Sequence, residues 1–247
     1  MAIIQLLLAV IILGAIYKKM MGWNTSGAIS KKQAYLPVAL GVVSTILAFF
    51  VVLGIALLFL RLGYTVESIQ NPALHAVVSA FLKAGLSEEL AKLLMILLSI
   101  KVLHPRNVYE CALIGGAVGI GFTLHEEFLY GGSLMGLSRF ITLLVHMALG
   151  IVMGKCIGMG MHRKQTGMPY RSLYAFSVMM PMAIHTIYDA CTACNPALKE
   201  LEHADDAVVA GELLAGLMCV ACAAVWQCLV VRSLKKHASE YSAMNLK

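Results

Sequence analysis

Gly85-Leu86-Ser87-Glu88-Glu89-Leu90-Ala91-Lys92 runs directly into Leu93-Leu94-Met95-Ile96-Leu97-Leu98, so two adjacent carboxylates and a lysine head a segment apolar enough for a membrane. An ionised group in hydrocarbon costs about 3 kcal/mol or more, and it persists there when paired, bound or facing water. The plain reading is that Ser87 caps a helix whose acidic first turn suits the helix dipole. Against it stand three further apolar stretches that carry His125, Glu126, His146, His185 and Asp189. Four helices with such residues point to a polar site built inside a membrane bundle.

Composition sets that class. Of 247 residues 60% are hydrophobic and only 13% charged, with a mean hydropathy of +0.83. Soluble domains carry about 25% charged residues. The chain therefore reads as an all-α, polytopic helix bundle: a single transmembrane domain over 1–247 with its motif-bearing core at 85–194, multi-pass in the cell membrane. The net charge of +6 belongs to membrane topology and not to nucleic-acid binding. The seven cysteines lie mostly in apolar runs, where Cys behaves as a small hydrophobe. Cys191 and Cys194 have redox or metal spacing at a helix end; Cys219 and Cys222 repeat it within an apolar run and read as packing.

Length and apolarity predict seven spans, at 2–17, 36–60, 86–103, 108–130, 134–161, 173–194 and 208–231. The first is followed by Lys18 and Lys19 and preceded by no basic residue, which reads as a span and not a cleavable leader. Asn71-Pro72 predicts a helix start and a lead-in over 73–83. The glycines of Gly115-Gly116-Ala117-Val118-Gly119-Ile120-Gly121 predict close helix packing. With seven spans, 13 of the 19 Lys and Arg fall on one side, while Arg61, Arg139 and Lys199 fall on the other. The positive-inside rule then puts the N-terminus outside and the C-terminus in the cytoplasm. Glu88, Glu89, Glu126, His146, His185 and Asp189 come to a common depth, between mid-bilayer and the outer surface.

Each cluster contains a spacing of four, which puts both partners on one helix face. Glu88 can pair with Lys92. Phe122 lies beside Glu126. Gly150 leaves room next to His146 for substrate or a neighbouring helix. Asp189 stands where a carboxylate would orient the His185 imidazole. Two histidines with carboxylates can hold a divalent metal, zinc being the commonest such catalyst. The same groups without a metal can run general-base hydrolysis. Glu212, in the last span, has no role in either scheme.

Taken in order, Glu88-Glu89-x-x-Lys92, Phe122-x-x-x-Glu126, His146-x-x-x-Gly150 and His185-x-x-x-Asp189 resemble the four motifs of PrsW-type intramembrane proteases. The match runs from about 87 to 189. Glu127 departs from the pattern, standing where that family usually has Asn. CAAX-type prenyl proteases and the Aph scaffold subunit of gamma-secretase are more distant relatives. The resemblance implies hydrolysis of a peptide bond in a membrane-embedded substrate, typically a single-span regulator such as an anti-sigma factor, within the lipid bilayer. On this reading His146, His185 and Glu126 hold Zn2+ or another divalent metal. Glu88 or Glu89 is the general base, Lys92 holds one of them ionised or stabilises the oxyanion, and Asp189 orients His185. A metal-free glutamate mechanism is the alternative chemistry. A proton- or ion-coupled transporter and a non-catalytic scaffold are the alternative classes.

Overall fold

The computed structural model describes residues 2–130, 140–192 and 206–246. Within them the chain forms α1 (Ala2–Gly22), α2 (Lys31–Arg61), α3 (Pro72–Ala80), α4 (Ser87–Leu103), α5 (Val108–Tyr130), α6 (Val145–Gln165), α7 (Arg171–Cys191), α8 (Asp206–Lys236) and α9 (Ala238–Ala243), and no strand. A helix falls in each of the seven expected segments. Among the described residues four helices are long and apolar enough to cross a membrane: Ile3–Gly22, Lys31–Arg61, Val108–Leu129 and Leu213–Lys236. The others fall short for a physical reason. α4 has 17 residues, and it carries Glu88, Glu89 and Lys92. The 21-residue α6 and α7 hold His146, Lys155, His185 and Asp189. Those ionisable residues lower the apolarity of α6 and α7, while α5 stays long and apolar enough although it carries His125 and Glu126.

Local chemistry explains the boundaries. Ser30 caps α2, its hydroxyl accepting from Gln33 N at 3.2 Å while Gln33 Oε1 accepts from Ser30 N at 3.0 Å, a reciprocal capping box. Asn71 Oδ1 accepts from Leu74 N at 3.0 Å and Pro72 opens α3, as the sequence predicted. Ser87 does not cap α4. The helix runs unbroken from Pro72 to Leu103 through a π-helical turn at Phe81–Leu86, and Ser87 Oγ donates to Leu82 O at 2.5 Å inside it. Such π turns re-aim the residues that follow them and recur at functional sites. The helix expected at 134–161 begins at Val145; 134–139 lie outside the described residues. Gln227 of α8 serves that start, accepting from Leu144 N at 3.0 Å and donating to Ile141 O at 2.7 Å. α4 stops at His104, whose left-handed φ of 48° precedes Pro105.

α5 is the centre of the bundle, buried along nearly all of its apolar length. Its glycines set the approach of its neighbours. A Cβ on Gly115 would strike Gly150 O, one on Gly119 would strike His146 O, and one on Gly121 would strike Val38 O. α6 and α2 therefore lie backbone to backbone against α5, held by packing with no hydrophobic drive in lipid. Gly150 makes room for α5 and not for substrate. Gly85, in the π turn, meets Thr186 and Met182 of α7 in the same way. At the end where α5 begins, Arg106 Nε donates to Glu110 Oε1 at 2.7 Å, and Leu246 N donates to Arg106 O at 2.8 Å. The C-terminal segment is thereby tied to the start of α5.

Candidate active site

The site forms where the π turn, α4, α5, α6 and α7 meet. Lys92 is fully buried, and an ammonium donates three hydrogens and accepts none. Nζ lies 2.6 Å from Glu89 Oε1, 3.0 Å from His146 Nδ1, and 4.2 Å from the centroid of the Phe122 ring. Because the ammonium only donates, His146 Nδ1 accepts. The imidazole proton then sits on Nε2, which faces Glu126 Oε2 at 2.7 Å. Glu88 Oε2 is more distant from Nζ, at 3.9 Å. The close partner of Lys92 is Glu89, three residues back, and not Glu88.

Glu89 Oε1 also accepts from His185 Nδ1 at 2.7 Å. That bond puts a proton on Nδ1 and turns Nε2 toward Glu88 Oε2 at 3.7 Å and Asp189 Oδ1 at 3.9 Å. Asp189 shares the His185 face, as a spacing of four requires, but 3.9 Å is too long for a hydrogen bond. The carboxylate bonded to His185 is Glu89. The two imidazoles stand edge to face with centroids 5.0 Å apart, and the Phe122 ring lies 4.9 Å from His146.

Glu88, His146 and His185 each offer one ligand atom, and these lie within 4.8 Å of one another. Glu88 Oε2 is buried without a hydrogen-bond partner. An orphaned carboxylate oxygen beside an imidazole nitrogen is what a divalent cation would satisfy, so these residues fit one. His185, bonded through Nδ1 to Glu89, has the carboxylate–histidine arrangement that orients a metal ligand. Glu126, expected among the ligands, hydrogen-bonds His146 instead and lines a cavity.

That cavity, about 470 Å³, reaches Glu88, Glu126 and His125 from the side of α2, whose Thr45, Ala48 and Phe49 form its other wall. Thr45 Oγ1 donates to Val42 O at 2.7 Å and meets His125 Nδ1 at 2.7 Å, tying α2 to α5 beside the site. The sequence reading left α2 out of the site. Its signal was Ser44-Thr45, the one pair of hydroxyls in the apolar run 36–60. Glu127 points elsewhere, accepting from Gln5 Nε2 of α1 at 2.8 Å. Cys111, Cys156, Cys191, Cys219, Cys222 and Cys228 are all free. Cys194, Arg139 and Lys199 lie outside the described residues, and the side chain of Glu212 is not described.

The profile of one protein family, described as PrsW family intramembrane metalloprotease, matches residues 34–225. No curated protein and no solved structure matches the chain.

Proposed function

The chain belongs to the PrsW family of intramembrane metalloproteases, a membrane-embedded protease family, and from that premise we propose that it hydrolyses a peptide bond in a single-span membrane protein at the Glu88–His146–His185 centre. The observation that carries the proposal is the convergence of two imidazoles and an orphaned carboxylate from three helices. Glu88, His146 and His185 would hold a divalent metal, zinc being the first candidate, and its chemistry there would be Lewis-acid polarisation.

The residues around that centre have separate tasks. Glu126, on the cavity wall, takes the proton of the attacking water on a carboxylate oxygen and returns it to the leaving amine nitrogen. Glu89 holds the His185 tautomer through Nδ1. Lys92 balances the charge of Glu89 and orients His146. Asp189 adds negative charge on the Nε2 side of His185. Substrate backbone enters along α2, between Phe49 and Glu126. Relative to the sequence-based assignment, Glu88 and Glu126 exchange roles, and Glu89 takes the orienting role first given to Asp189.

The test is metal analysis of purified protein with cleavage of single-span substrates in proteoliposomes. Wild type is expected to hold about one divalent ion per chain, and His185→Ala to lose both ion and cleavage. Full-rate cleavage by protein stripped of metal and verified as such would remove the metal from the reading and leave a glutamate mechanism.

The seven spans, with the N-terminus outside and the site in the outer half, form part of the proposal. In a background without native cysteines, a cysteine at the exposed Ser68 should react with an impermeant maleimide added to cells, and one at Gln165 should not. The opposite pattern inverts the protein and moves the site toward the cytoplasm.

A further inference from the structure

A second cavity, about 310 Å³, lies between α6, α7 and α8 and shares no residue with the cavity at the candidate active site. Phe176 and Met180 of α7 and Trp226 and Leu229 of α8 form its apolar walls, and Ser233 of α8 and Tyr241 of α9 also line it. Among the described residues Lys155 is the one charged side chain that lines it. Phe176 and Leu229 are largely exposed, so the cavity opens toward the lipid side of the bundle.

The register of α6 on α5 gives the depth of Lys155. A Cβ on Gly154 would meet Cys111 O, and one on Gly158 would meet Cys111 and Val108. Lys155 is therefore level with the first turn of α5, the turn that begins beside the Arg106–Glu110 pair. That end of the bundle also carries Arg163, Lys164, Lys235 and Lys236. Lys155 thus stands beside the start of α5 and about two turns of α6 inside Arg163, among apolar walls. Among the described residues no carboxylate lies within ion-pair distance of it. A half-buried ammonium in that position needs a counter-charge.

We propose that this cavity is a binding site for an anionic glycerophospholipid, whose phosphate pairs with Lys155 Nζ and hydrogen-bonds at Ser233 while an acyl chain covers Phe176 and Leu229. The depth suits a headgroup, the walls suit hydrocarbon, and the unbalanced charge selects an anionic lipid over a zwitterionic one. A lysine that merely extends to water shows no such selection.

The test is native mass spectrometry of the purified full chain, offered phosphatidylglycerol or phosphatidylcholine at equal concentration. Wild type is expected to retain phosphatidylglycerol over phosphatidylcholine by about fivefold, the preference one lysine near a surface supplies. Lys155→Gln should remove the preference, Lys155→Arg should keep it, and Lys235→Gln, at an exposed position on the last turn of α8, should leave it unchanged. Met180→Trp, which fills the cavity and spares the charge, should lower retention of both lipids. Equal retention of the two lipids by wild type, or an unchanged preference in Lys155→Gln, overturns the proposal. So does loss of the preference in millimolar inorganic phosphate, which would make the site one for a free anion. Should Lys155→Gln fail to fold, Lys155→Arg and Met180→Trp decide the matter in the same measurement.

Discussion

Glu126→Gln should abolish peptide-bond hydrolysis and leave the bound metal at its wild-type level. Glu126 lines the 470 Å³ cavity beside the Glu88–His146–His185 group, and glutamine keeps its size and its place on that wall. What the amide cannot do is take a proton from water, and positioned acid–base groups contribute about 10²–10⁴ in rate. Glu88→Ala should behave differently, losing metal and turnover together, because Glu88 is the carboxylate grouped with both imidazoles. Cleavage rate and metal content measured on the same preparations separate the two. Metal lost in Glu126→Gln and kept in Glu88→Ala would return Glu126 to the ligand set and make Glu88 the base.

The second large effect is on stability. Lys92 and Glu89 are both fully buried, 2.6 Å apart, and each is held by a further partner in His146 or His185. Removing one member of such a pair leaves a buried charge without its partner and costs about 3–5 kcal/mol. Lys92→Met is expected to cost that much, read as a lowered melting temperature in detergent, and to disorder both imidazoles by freeing His146 Nδ1 and Glu89. Lys92→Met combined with Glu89→Gln should recover a large part of the loss, since no charge is then stranded and the amide oxygen still accepts from His185. A double variant whose loss equals the sum of the two single losses would show that the pair is uncoupled.

These two predictions rest on different kinds of information. That the side chains of Glu88, Glu89, Lys92, Glu126, His146, His185 and Asp189 come together was legible in the chain, because ionisable residues on apolar helices are costly and were the signal. Membrane residence, the all-helical class and the helix start at Asn71-Pro72 were legible for the same reason: apolar length and cap chemistry act locally. The glycine run of α5 announced close packing, though not that Gly150 would be its counterpart on α6.

The division of labour among the carboxylates required the tertiary structure. Spacing of four favoured Glu88 for Lys92 and Asp189 for His185, since it places each pair on one face. The fold gives both contacts to Glu89, three residues from Lys92 and on a different helix from His185. The π turn ahead of Ser87 shapes the entry to α4, and no propensity in Phe81–Leu86 announces it. The part played by α2 was hidden as well, because a wall made of Ala48 and Phe49 looks in sequence like any lipid-facing helix. Sequence alone determined which groups had to be brought together, since hydrocarbon tolerates them in few other arrangements. Which of them touch was decided by backbone approach at Gly115, Gly119 and Gly121, a matter of ångströms between helices that are remote along the chain.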